Sequence, residues 1–131
     1  VIDIGVAWGT PELYKTFPQA YFILIEALDH FEGDMQRILT RVAGEYHVKG
    51  VGTEPGRMTI SLDLDDGALA GANVLDRPRG GAKTFEVEID TVDAILATSR
   101  IEPGALLKLD VQGADLRALR HAGATLEMCD P

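Results

Sequence analysis

Apolar residues fall first into unbroken runs, then into helical spacing, and later into alternation with polar ones. Val1 to Ile4 reads as the tail of a buried strand. Tyr21 to Ile25 reads as a second strand, continuous enough to be covered on both faces. Between them Thr10, Pro11 and Glu12 mark a helix start. Threonine caps an orphan N–H, proline lacks the N–H that would go unpaired, and glutamate suits the positive end. Leu13 and Phe17, one turn apart, are expected to face the sheet, and Pro18 to stop the helix. Phe31, Met35, Ile38, Leu39 and Val42 predict a second helix from Phe31 to Ala43. Tyr46, Val48 and Gly50, alternating with His47, Lys49 and Val51, predict a third strand nearer the sheet edge. This strand–helix–strand–helix–strand order is the first half of a doubly wound α/β sheet.

The pattern then changes period. Met58, Ile60, Leu62 and Leu64 alternate with Thr59, Ser61, Asp63 and Asp65, as in a strand with one wet face. Phe85, Val87 and Ile89 do the same against Glu86, Glu88 and Asp90. The Gly- and Arg-rich stretch from Asp66 to Lys83 between them reads as a loop. A short helix is expected from Thr91, with Asp90 as its cap and Val92, Ile95 and Leu96 inward. Asp93 reads as a helix-start acid. Ala105 to Leu109 forms another buried run that ends in Asp110. Gly113 is expected to open a last helix with Leu116 and Leu119 inward and Gly123 at its close.

Composition narrows the function classes. The chain has 131 residues, enough for one domain, with 46% hydrophobic residues. A net charge of −9 repels phosphate backbones and argues against a nucleic-acid partner. The nearest basic cluster, Arg77, Arg79 and Lys83, reads as solvated surface. No apolar stretch approaches a membrane span, so no membrane partner is expected. Cys129 is the only cysteine, which suits a reducing, cytoplasmic setting. His30, His47 and His121 lack ligand spacing, so no metal site is expected. Val1 falls inside a strand pattern and Pro131 just after a helix, so residues 1–131 read as one domain cut from a longer chain. Nothing in the pattern indicates an oligomeric state.

The candidate chemistry lies where strands end. Asp3, Gly5 and Gly9 form D-x-G-x-x-x-G after the first strand. The dinucleotide fingerprint G-x-G-x-x-G lets a pyrophosphate approach the backbone, and its G-x-G element is missing here. No Gly-Lys-Ser/Thr follows, which excludes a phosphate-binding P-loop. What remains is a turn and helix N-terminus that either holds a smaller anion such as a carboxylate or holds no ligand. Asp3 could bind a cationic amine. Glu26, at the tip of the second strand, could accept both hydroxyls of an unphosphorylated ribose. A carboxylate, an amine and an adenosine occur together in S-adenosylmethionine. Asp110 either caps a strand-to-helix turn or meets the substrate hydroxyl as orienting group or base. Trp8 either walls the pocket or packs on a helix. Lys108 lies in a buried run and must find a partner or reach water.

Two segments together resemble the FkbM family of S-adenosylmethionine-dependent methyltransferases. VIDIGVAWGTPELYKTFPQAYFILIEAL (Val1 to Leu28) is similar to the family's glycine motif, second strand and acid. LLKLDVQGADLRALRHAGATL (Leu106 to Leu126) is similar to its LLKIDVQG-E-L-x-x-L-x-G-A segment, and VEIDTVDAIL (Val87 to Leu96) more weakly to the element before it. The resemblance implies a doubly wound, mostly parallel sheet of the class I methyltransferase type. Added antiparallel strands interrupt it, and it stops after the fourth core strand and its helix. It implies methyl transfer to a hydroxyl of a small molecule or sugar. Asp3, Gly5, Gly9 and Thr10 then lie at the methionine end of S-adenosylmethionine, Glu26 at its ribose, and Asp110 at the active-site end of the fourth core strand. Ala27 stands where many members carry proline, and Asp115 where glutamate is usual. Gly67 to Asn73 replaces a serine-rich stretch, which leaves the acceptor open. A nicotinamide oxidoreductase is a second reading, opposed by the missing G-x-G, and a non-catalytic or degenerate cofactor-binding domain is a third.

Overall fold

A computed structural model describes residues 1–62, 83–111 and 113–130. In chain order the elements are β1 (Ile2–Ile4), α1 (Pro11–Thr16), β2 (Tyr21–Glu26), α2 (Glu32–Leu39), β3 (Ala43–Val48), β4 (Gly50–Val51), β5 (Gly56–Leu62), β6 (Lys83–Asp90), α3 (Val92–Ile95), β7 (Leu107–Leu109), α4 (Asp115–Arg120) and α5 (Gly123–Glu127). Four strands form a parallel sheet in the order β3-β2-β1-β7. The chain builds away from β1 through β2 and β3, then returns to β1's other side with β7. That reversal opens a crevice at the carboxyl ends of β1 and β7. Ile4 pairs with Leu109, so Asp110 emerges beside Gly5.

Both faces of this sheet are covered, which explains the unbroken apolar runs. Ile2, Ile4, Ile23 and Ile25 point to one face and pack against Val92, Ile95, Leu96, Ala118 and Ala122 of the α3–α5 layer. Phe22 and Leu24 point to the other and pack with Val6, Leu13, Tyr14 and Met35. Complete burial of Phe22 alone contributes about 1.5–3 kcal/mol. A second, three-stranded sheet has the order β4-β6-β5, with β5 and β6 antiparallel and β4 parallel to β6. Its inner face (Met58, Ile60, Val87 and Ile89) packs on Leu28 and Phe31, just beyond β2. The α/β class, the parallel core sheet and the added antiparallel pair agree with expectation.

Several boundaries differ from expectation. The second helix ends at Leu39 rather than Ala43, because Ala43 already pairs with Tyr21 at the start of β3. The expected third strand divides at Lys49, and its second part joins the other sheet as β4. Phe17 is exposed, and Tyr14 takes the packing position against Phe22 with ring centroids 5.2 Å apart. Leu116 is 72% exposed, and Ala118 supplies the inward face of α4. Gly123 opens α5 rather than closing α4. The cap of α3 is Thr91, whose hydroxyl accepts from the Ala94 N–H at 3.1 Å, not Asp90. Leu64 and the Asp66–Lys83 stretch, with Arg77 and Arg79, lie outside the described residues apart from Lys83, which sits 5.0 Å over the Phe85 ring.

Asp93 is more than a helix-start acid. Its carboxylate accepts from the Ala124 and Thr125 N–H groups at 3.0 and 2.9 Å and from the Thr125 hydroxyl at 2.7 Å, tying α5 to α3. Burial pushes this carboxyl up, but those three hydrogen bonds outweigh it and hold it below its ordinary value. A depressed folded-state pKa gives stability that is full above the unfolded value of about 3.9 and is lost as pH falls through the folded one. Urea midpoints measured from about pH 6 down to about pH 3 should therefore fall less steeply for Asp93→Ala than for the unaltered chain.

Candidate functional site

A mainly apolar cavity of about 410 Å³ lies at the carboxyl ends of β1, β2 and β7. The glycine turn forms its floor, from Ile4 to Thr10. Glu26, Ala27 and Leu28 form one side, and Lys108, Asp110 and Val111 the other. Met58, Ile60 and Ile89 of the second sheet close over it. That wall comes from the alternating strands of the chain's middle, whose apolar face thereby gains a purpose. Trp8 lines the cavity and meets Phe31 edge to face, with ring centroids 5.6 Å apart.

Each glycine of the motif has a steric reason. Gly5 adopts φ +78°, and a side chain there would drive into the carbonyl of Asp110. Gly9 adopts φ +112°, and its Cβ would sit 2.9 Å from Ile38. Between them Ala7 holds φ +46°, a left-handed conformation that costs a non-glycine residue about 1–2 kcal/mol. Glu26 maintains it. Its Oε2 accepts from the Ala7 N–H at 2.9 Å and its Oε1 from the Leu28 N–H at 3.1 Å. The acid at the tip of β2 thus braces the turn of β1 while lining the cavity. Each carboxylate oxygen keeps acceptor capacity beyond these single bonds.

Beneath the turn lies a polar network that the sequence only hinted at. Asp3 is fully buried and does not line the cavity, because its side chain points under the turn toward α1. The cationic amine it meets is the chain's own: Lys108 Nζ stands 3.0 Å from Asp3 Oδ1. That ammonium donates to the carbonyls of Gly5 at 2.7 Å and Ile4 at 3.3 Å, so Asp3 Oδ1 receives its charge without an aligned N–H. Tyr14 donates to Asp3 Oδ2 at 3.0 Å and accepts from the Thr10 N–H at 2.9 Å. Burial raises the Tyr14 phenol well above its ordinary value; the Thr10 N–H works against the rise and the Asp3 carboxylate adds to it. Thr10 stands at the helix cap position, but its side chain makes no cap bond, and its N–H donates to the Tyr14 hydroxyl. Thr10 also lines the cavity.

Asp110 is exposed at the cavity rim, with its N–H donated to Ile4 at 3.0 Å. The turn after it is held by Asp115, which accepts from the Val111 N–H at 3.1 Å and the Gly113 N–H at 3.0 Å. The Val111 bond leads in lowering the Asp115 carboxyl, burial opposes it, and the Gly113 bond adds to the lowering. Gly5, Gly9, Thr10, Glu26 and Asp110 therefore converge on one cavity, and Asp3 supports it from below. Sequence reasoning missed Tyr14 and Asp115. Tyrosine at one-turn spacing from Thr10 and an acid two residues after Gly113 were the available signals.

The sequence model of the family described as the Methyltransferase FkbM domain matches residues 6–131. No curated protein and no solved structure matches the chain. Among the described residues no helix is long and apolar enough to cross a membrane.

The network makes two stability predictions. Tyr14→Phe removes the donor to a buried carboxylate and the acceptor for Thr10, and should cost about 1–3 kcal/mol in urea unfolding. Gly5→Ala should cost more than Gly9→Ala in the same measurement, since Gly5 meets rigid backbone and Gly9 meets movable side chains.

Proposed function

The chain belongs to the FkbM methyltransferase domain family, and on that footing we propose that it is an S-adenosylmethionine-dependent O-methyltransferase acting on a hydroxyl of a small molecule or sugar. The observation that carries this reading is Glu26, an acid at the tip of β2 that both braces the turn after β1 and lines the cavity. Its remaining lone pairs suit the two hydroxyls of an unphosphorylated ribose. The cavity is within the range of about 300–1,000 Å³ that nucleoside-sized ligands occupy. Leu28, Phe31, Val51 and Met58 offer an apolar slot for the base beside that ribose position. The turn lacks G-x-G, which disfavours a pyrophosphate and with it a nicotinamide oxidoreductase.

When bound, the cofactor supplies a methyl group activated on a sulfonium sulfur. The chain's part is placement, exclusion of water and movement of one proton. Gly5, Gly9 and Thr10 shape the floor under the methionine end, and Asp3 supports it through Lys108 and Tyr14. Asp110, at the rim of the cavity, orients the acceptor hydroxyl and takes its proton as the oxygen gains the methyl. The wall of Met58, Ile60 and Ile89 keeps water from the reacting side.

Isothermal titration should give micromolar or tighter binding of S-adenosylmethionine and none of NADH; the reverse result overturns the proposal. Methyl transfer from labelled cofactor to a panel of sugar and polyketide hydroxyls separates an enzyme from a binding domain without turnover. Asp110→Asn should lower kcat by about 100-fold or more while cofactor affinity stays unchanged. A kcat left intact would remove Asp110 from the chemistry.

A further inference from the structure

We infer that Lys108 binds the carboxylate of the cofactor's amino-acid end, an inference that rests on the S-adenosylmethionine reading of the cavity. Among the described residues, five charged ones line the cavity: Glu12, Glu26, Lys49, Lys108 and Asp110. Two of these five are cations. Lys49 sits at the junction of β3 and β4, on the side of the second sheet, and stands 4.0 Å from Asp90. Lys108 is at the glycine turn itself, with its ammonium 2.7 Å from the Gly5 carbonyl. An amino-acid end lying beside that turn meets Lys108.

The ammonium also has a donor to give. Of its two hydrogen bonds, the one to Ile4 is long, at 3.3 Å, and the Ile4 carbonyl already accepts the Asp110 N–H at 3.0 Å. Turning that N–H toward the cavity therefore strands no acceptor. The bond to Gly5 and the charge of Asp3 keep the ammonium in place while it turns. Asp3 is fully buried and does not line the cavity, so it makes no contact with a ligand carboxylate there. Lys108 is a quarter exposed and lines the cavity. A charge-assisted N–H to a carboxylate is among the stronger polar contacts a ligand can make.

A plain strut between β7 and the turn would use the same bonds, so the test must separate the two. Three probes serve: S-adenosylhomocysteine, its carboxyl methyl ester, and methylthioadenosine, which keeps the nucleoside and lacks the amino-acid end. Titrated into the unaltered protein, the free acid should bind about tenfold or more tightly than the ester. Lys108→Gln keeps an N–H for Gly5 and removes the charge. It should weaken the acid by about tenfold and leave the ester and methylthioadenosine within about twofold. Lys108→Arg should retain the preference for the acid over the ester. Equal loss of all three probes in Lys108→Gln makes the lysine a strut and overturns the inference, as does equal binding of acid and ester by the unaltered protein. Should Lys108→Gln not fold, the acid–ester comparison on the unaltered protein and on Lys108→Arg decides. Failure of the unaltered protein to bind any probe overturns the cofactor reading and this inference with it, whereas binding of methylthioadenosine with no preference for the acid overturns this inference alone.

Discussion

The parallel pairing of β1 with β2 on one side and β7 on the other is the constraint on which the rest of this structure depends. It brings three strand ends together, and it presses the Gly5 peptide against the carbonyl of Asp110 so closely that no side chain fits between them. The chain must then turn sharply away, which it does through left-handed conformations at Gly5, Ala7 and Gly9. Glycine absorbs this without strain. Ala7 does not, and the Glu26 carboxylate from the neighbouring strand holds it there. The crevice is thus a product of sheet geometry, kept open by one acid.

The price of that geometry is a charge inside the protein. Asp3 sits in the middle of β1 with no exposure to solvent, a position that would be costly for an isolated carboxylate. Lys108 lies directly across from it in the β1–β7 register, and Tyr14 reaches it from α1. Removing Lys108 would leave the acid's charge uncompensated, which is typically more damaging than replacing the whole set, whereas removing the Tyr14 hydroxyl takes away a neutral donor. The same lysine touches the turn through its ammonium and lines the cavity.

Much of this was legible along the chain. Continuous apolar runs marked β2 and β7 as covered strands, and alternation marked β5 and β6 as strands with one wet face. The glycines and Glu26 mark the turn and the strand tip that border the cavity. The errors have a common cause. Phe17, Leu116 and the end of α2 were assigned from helical spacing, which fixes which residues share a face but not how far that face is covered. At α1 and α4, each of six residues, a neighbour within one turn took the packing position: half-buried Tyr14 in place of Phe17, and buried Ala118 in place of Leu116. Capping by Thr91 rather than Asp90 turned on backbone direction at the strand end, which residue type alone does not specify.

By itself the sequence determined the order of the main elements, the parallel core, and a glycine turn flanked by acids at the strand ends. Each of these follows from local periodicity, glycine's conformational freedom or charge at a strand end. Only the tertiary structure decided that Asp3 points beneath the turn and away from the cavity, that Glu26 holds Ala7, and that Lys108 joins the turn to the fourth strand. Those pairings join residues up to 105 positions apart. They are set by which strand lies beside which, and no local pattern encodes that.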